Sequence, residues 1–123
     1  MARIAVEGLE KDIVPVICRI LEVGKHQVCY RNESPHNGAD VGKIKEMISS
    51  NPELSIICNA RGYLDFLDHY KSSTDIPFLV LTGGGPDLVD KVAEYTPHVL
   101  HVPFGSIKDV YKKVDEILVK NGN

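Results

Sequence analysis

Ile76-Pro77-Phe78-Leu79-Val80-Leu81-Thr82-Gly83-Gly84-Gly85-Pro86 is the stretch on which the fold turns. Four apolar residues in a row, Phe78 to Leu81, follow a proline and run into three glycines and a second proline, which break the run. An apolar segment this short, without polar alternation, suits a strand buried on both faces, as in a parallel sheet with helices on either side. After the break, Pro86-Asp87 opens a helix carrying Leu88, Val89, Val92, Ala93 and Tyr95, which Thr96-Pro97 ends.

The same strand-then-helix unit recurs on either side. Leu54, Ile56 and Ile57 predict a strand ending near Cys58-Asn59, and Tyr63, Leu64, Phe66, Leu67 and Tyr70 a helix closed by Ser72 to Asp75. Before these, Arg3 to Val6 predicts a first strand that stops at Glu7-Gly8. Ile13, Val16, Ile17, Ile20 and Leu21 then recur at helical spacing, with Pro15 near the helix start and Gly24 as its end. His26 to Arg31 reads as a second strand leading into a turn-rich loop through Gly38, and Val41, Ile44, Met47 and Ile48 as a second helix stopped at Asn51-Pro52. Beyond the glycines, Val99 to Val102 predicts a fifth strand broken by Pro103-Phe104-Gly105. Ser106 and Asp109 form a capping arrangement for a last helix with Ile107, Val110, Val114, Ile117 and Leu118 on one stripe. Strict alternation predicts a single α/β domain over residues 1–123, a three-layer sandwich around a five-stranded parallel sheet.

Composition narrows the function classes. The 123 residues, 43% hydrophobic and 25% charged, suit one core, and a domain of this size buries roughly two-thirds of its unfolded surface. A net charge of −3 with scattered lysines and arginines argues against nucleic acid and against an anionic membrane surface. Cys18, Cys29 and Cys58 are an odd number without metal-ligand spacing and read as reduced core thiols of a cytoplasmic protein. No segment is apolar enough to span a bilayer, and the first residues lack the apolar centre of a signal peptide.

In open parallel sheets, ligands bind beyond the carboxyl ends of the strands. That rule singles out Glu7, Gly8, Cys58, Asn59, Thr82, Gly83 and the segment around Val102-Pro103. Ile76 to Thr82, Val99 to Phe104, Pro52 to Ile57 and Arg3 to Gly8 together resemble the fourth, fifth, third and first strands of a two-component receiver domain. The resemblance implies a (βα)5, flavodoxin-like topology and a role in signal transduction. It also implies an active constellation: two carboxylates after the first strand for Mg²⁺, a phosphoryl-accepting aspartate after the third, a Ser or Thr after the fourth, and a lysine before the Pro-Phe pair. A hard cation and a cationic side chain would there neutralise the phosphoryl oxygens. In this chain Glu7 is followed by Gly8, the acceptor position holds Cys58 or Asn59, the lysine position holds Val102, and only Thr82 matches. The position of the family's aromatic switch falls on Val99.

The expectation is therefore a degenerate receiver, or pseudo-receiver, without enzymatic activity or cofactor, acting through protein contacts independently of phosphorylation. On the face that receivers commonly use for partners and dimers, the outward set is Asp90, Lys91, Glu94, His101, Lys108, Tyr111, Lys112 and Asp115, a candidate homodimer or partner surface. A second reading is a regulatory domain binding an anion or small ligand on the loop Thr82, Gly83, Gly84 and Gly85 at a helix start, although Asp87 would oppose an anion there. A third is a receiver phosphorylated on a displaced carboxylate, Asp65 or Asp68. The five histidines, His26, His36, His69, His98 and His101, are scattered without ligand spacing, so no metal site is predicted.

Overall fold

The structure, a computed structural model, describes residues 2–8, 13–32, 41–58, 64–82, 86–101 and 107–122. Ten elements alternate in the predicted order: β1 (Arg3–Gly8), α1 (Ile13–Val23), β2 (Gln27–Asn32), α2 (Val41–Ser49), β3 (Leu54–Cys58), α3 (Leu64–Ser73), β4 (Phe78–Thr82), α4 (Pro86–Ala93), β5 (Val99–His101) and α5 (Ile107–Gly122). All strand pairs are parallel, in the order β2-β1-β3-β4-β5. This is the (βα)5 flavodoxin-like sheet. The chain steps from β1 to one side for β2, then crosses back to β3 and continues in that direction. Right-handed crossovers therefore put α1 on one face and α2, α3 and α4 on the other, and α5, which follows β5, packs beside α1.

Two apolar clusters fill the space between sheet and helices. Ile4, Val6, Leu54, Ile56, Cys58, Leu79 and Leu81 pack against Val14, Ile17, Cys18 and Leu21 of α1 and Val110, Val114 and Ile117 of α5. On the opposite face Ala5, Ile57, Phe78 and Val80 meet Ile44 and Met47 of α2, Phe66, Leu67 and Tyr70 of α3, and Val92 of α4. Residues from both faces of β3 and β4 are buried, which is why these strands show no polar alternation.

Helix ends differ from the sequence reading where packing intervenes. α1 closes with a Schellman pair: His26 N–H donates to the Leu21 carbonyl at 2.8 Å and Lys25 N–H to the Glu22 carbonyl at 2.9 Å. The left-handed residue is Lys25, with φ 68°, not Gly24. Gly24 is closely approached from elsewhere: a Cβ there would lie 2.3 Å from Cε2 of Tyr111, the outer end of an exposed side chain that can swing aside. Lys25→Gly should accordingly stabilise the fold by about 0.5–1 kcal/mol, read as a higher urea midpoint. α2 ends similarly on Asn51, φ 58°, a residue that tolerates that conformation. Arg3 ties this end to β1, its guanidinium donating to the carbonyls of Ser50 and Asn51. α4 stops at Ala93, short of Tyr95, and Thr96 turns inward: its hydroxyl donates to the Phe78 carbonyl at 2.8 Å and accepts from His98 N–H at 3.1 Å. Tyr63, Val102 and the Ser106 cap lie outside the described residues.

Tyr70 ranks first by volume among the fully buried side chains, and it shares a 2.6 Å hydrogen bond with the Ser55 hydroxyl beneath α3. Burial pushes its phenol up to about 12, against the lowering effect of the Ser55 bond. An unfolded tyrosine loses its proton near pH 10 while the native one keeps it, so folding binds a proton between those values. Stability from this group is full below about pH 10 and falls by roughly 2 kcal/mol as pH rises toward 12. Urea midpoints measured from pH 8 to 12 should fall less steeply for Tyr70→Phe than for the native chain.

Candidate functional site at the carboxyl ends of β1 and β2

Gly8 pairs with Cys58, Cys58 with Leu81, and Thr82 with His101, so the sequence-selected positions do share one end of the sheet. They do not share one face. Strand alternation carries Glu7 on from Ala5, and Thr82 on from Val80, toward α2–α4. Cys58 belongs to the α1/α5 cluster, fully buried beside Val6 and Leu81. A position weighed as the phosphoryl acceptor is thus a packed core thiol on the opposite side from Glu7 and Thr82. Asn59, Val102, Gly83, Gly84 and Gly85 lie outside the described residues.

Gly8 is closely packed. A Cβ added to it would stand 2.7 Å from Cγ2 of Val14 and 2.9 Å from Cβ of Cys58. Both neighbours are buried, and one is a strand Cβ that cannot swing away. The position that would supply the second carboxylate of an acidic pair has no room for a side chain in this packing.

Glu7, also fully buried, sits in a polar network instead. The Tyr30 hydroxyl donates to one carboxylate oxygen at 2.7 Å and the Asn32 amide to the other at 2.8 Å. Lys43 of α2 donates to the Asn32 carbonyl oxygen at 3.3 Å, so the asparagine is held at both ends. Each carboxylate oxygen is engaged by a protein donor, and a cation arriving here would meet the Lys43 ammonium nearby. The network joins β1, β2 and α2 through groups that would otherwise be desolvated without partners.

A β-bulge makes this network. Ile4 pairs with Val28 but Ala5 with Tyr30, leaving Cys29 as an extra residue in the edge strand. Val28 packs on the α1/α5 cluster, while both Cys29 and Tyr30 pack on the α2–α4 cluster. The change of phase sets Asn32 opposite Glu7 and brings Tyr30 to the same face. In regular pairing Arg31 would oppose Glu7. The sequence reading named Glu7 and missed Tyr30, Asn32 and Lys43. The alternation of Tyr30 and Asn32 is visible in the sequence, but the bulge that aims them is not.

The predicted interface set divides. Asp90, Lys91 and Glu94 are exposed on and just beyond α4, and the Glu94 carbonyl accepts from Lys71 at 3.2 Å. Tyr111 and Asp115 lean toward α1: Tyr111 lies against Gly24, and the Asp115 carboxylate is 3.6 Å from Nε2 of His26. Lys112 is exposed, and the side chains of His101 and Lys108 lie outside the described residues. Asp65 and Asp68 are exposed on α3.

With this geometry in view, comparison with solved structures decides the fold. The receiver domain of Francisella response regulator 1452 superposes with a TM-score of 0.76 at 15% identity, covering 99% of this chain and 100% of that one. The fold is that of a response-regulator receiver domain. A LuxR-family DNA-binding response regulator from Staphylococcus aureus matches with a TM-score of 0.74 at 14% identity, over 96% of this chain and 99% of that one. The N-terminal domain of a response regulator receiver protein from Methanoculleus marisnigri JR1 gives 0.62 at 20% identity, over 96% and 97%. No family model matches the sequence, and no curated protein does. The likeness to receivers therefore lies in the path of the chain, at identities where side chains have largely been replaced. No helix among the described residues is long and apolar enough to cross a membrane.

Proposed function

We propose that this receiver-fold domain is a pseudo-receiver, a signalling module that works by protein contact and carries no phosphoryl-transfer chemistry. The observation that carries the reading is Gly8, whose packing against Val14 and Cys58 leaves no space for the second Mg²⁺-binding carboxylate. Two features support it. Glu7, the remaining carboxylate, already receives Tyr30 and Asn32, and Cys58 faces the opposite core. A divalent cation needs several oxygen ligands in one place, and a receiver's switch depends on the charge that cation helps to hold.

The exposed set on and just beyond α4, Asp90, Lys91 and Glu94, offers a mixed-charge surface for a protein partner. The test is a titration of isotopically labelled protein with Mg²⁺ and then beryllofluoride, a mimic of a bound phosphoryl group. Amide resonances of Glu7, Thr82 and α4 should stay in place. Saturable shifts converging on Glu7 and Thr82 would overturn the reading.

A further inference from the structure

His26 sits where the starts of β1 and β2 meet the end of α1 and the side of α5, at the end of the sheet opposite Glu7. The turn that closes α1 fixes its backbone, since its N–H donates to the Leu21 carbonyl. The side chain is 10% exposed, and each ring nitrogen faces a different element. Nδ1 accepts from the Ala2 N–H at 3.2 Å, and Nε2 stands 3.6 Å from Oδ1 of Asp115 on α5. An accepting ring nitrogen carries no proton, so the neutral ring holds its one proton on Nε2, facing the carboxylate. Ala2 is buried in the α1/α5 cluster, and its carbonyl accepts from Gln27 N–H at 2.8 Å. Residues 26 and 27 together clasp the entry to β1.

We propose that His26 is an acid-sensitive latch: on taking up a second ring proton it lets go of the entry to β1 while keeping its hold on α5. A protonated Nδ1 is a donor and meets the Ala2 N–H donor against donor. Nε2 responds with the opposite sign, because the imidazolium then faces the Asp115 carboxylate as an ion pair. The carboxylate keeps the ring in place, so Ala2 is the side that yields. Of the other groups around the ring, Tyr111 of α5 contributes an aromatic face at 6.4 Å, and Gln27 of β2 has no charge. Glu22 and Lys25, on the turn out of α1, are exposed and opposite in sign, and Arg3 of β1 is directed to the carbonyls of Ser50 and Asn51. Once released, the buried Ala2 N–H has lost its acceptor, and the residue must shift to recover one from water. The break is local, since β1 from Ile4 onward stays paired with β3. The start of β1 beside α5 is therefore where this domain registers a fall in pH, and the Glu7 end is not.

The test is amide hydrogen exchange of the full chain from about pH 8 down to about pH 5, each rate corrected for the intrinsic effect of pH. The readout is the Gln27 amide, whose acceptor is the Ala2 carbonyl, with amides in the middle of β3 as the control for global opening. In the native chain, Gln27 protection should fall roughly tenfold or more with acid while β3 is unmoved. His26→Asn places an oxygen that cannot be protonated near the position of Nδ1, and its Gln27 protection should not change with pH. His26→Ala should show the low protection at every pH. In Asp115→Asn the fall should move to lower pH, because the charge that favours the imidazolium is gone. Native protection that stays constant over the whole range, or an equal fall in His26→Asn, would overturn the proposal.

Discussion

Gly8→Asp, which rebuilds the second carboxylate of a receiver's acidic pair on paper, is expected to cost roughly 3 kcal/mol or more and to create no Mg²⁺ site. Two separate terms add. The new Cβ lands 2.7 Å from Val14 and 2.9 Å from Cys58, both in the α1/α5 core, so strand β1 or helix α1 must move. The carboxylate beyond it then extends toward apolar neighbours. Gly8→Ala separates the terms, since it keeps the overlap without the charge and should cost about 1–3 kcal/mol. Urea denaturation of the three proteins, with and without Mg²⁺, measures both. A Gly8→Asp protein as stable as the native chain and further stabilised by Mg²⁺ would show that the packing at this position is not what precludes the metal.

Glu7→Ala should cost a similar amount, about 3 kcal/mol, by another route. Removing the carboxylate takes away the acceptor that the Tyr30 hydroxyl and the Asn32 amide share, and with it the link from Lys43 through Asn32 to Glu7. The effect should be shared. In a double-mutant cycle, Asn32→Ala added to Glu7→Ala should cost much less than Asn32→Ala alone, with a coupling of at least ~1 kcal/mol. Glu7→Gln is the informative conservative change. Its carbonyl oxygen can accept from the Asn32 amide while its N–H donates to the Tyr30 hydroxyl, which accepts as well as donates, so Glu7→Gln should cost less than Glu7→Ala. Additive losses in the cycle would mean that Glu7 is held by something other than this network.

How much of this was legible in the sequence depends on which forces set each feature. The sheet was readable because β3 and β4 are buried on both faces, and continuous apolar runs such as Phe78 to Leu81 record that burial directly. Among the described residues, the turns after α1, α2 and α3 were readable to within a residue or two, since Gly24, Asn51-Pro52 and Ser72 to Asp75 mark them locally. The substitution of Gly8 at an acidic position was visible too, but its physical content was not: the glycine is enforced by Val14, six residues on, and by Cys58 on the adjoining strand. Gly24 teaches the same lesson. It reads as a helix stop, yet the left-handed residue is Lys25, and what a side chain at Gly24 would first meet is the ring of Tyr111, far along the chain. The Glu7 network was hidden for a related reason. An extra residue at Cys29 reverses the facing of everything after it in β2, and register is set by strand pairing that a single segment does not encode. The outward set on α5 was split for want of one fact, the side of the helix that α1 occupies.

The central claim, a receiver fold without phosphoryl chemistry, is tested most directly by incubating the protein with Mg²⁺ and acetyl phosphate and reading its intact mass. The mass should be unchanged for the native chain and for Gly8→Asp alike. A phosphate adduct on the native protein that is stable to mild acid and labile to base would identify a carboxylate acceptor and contradict it.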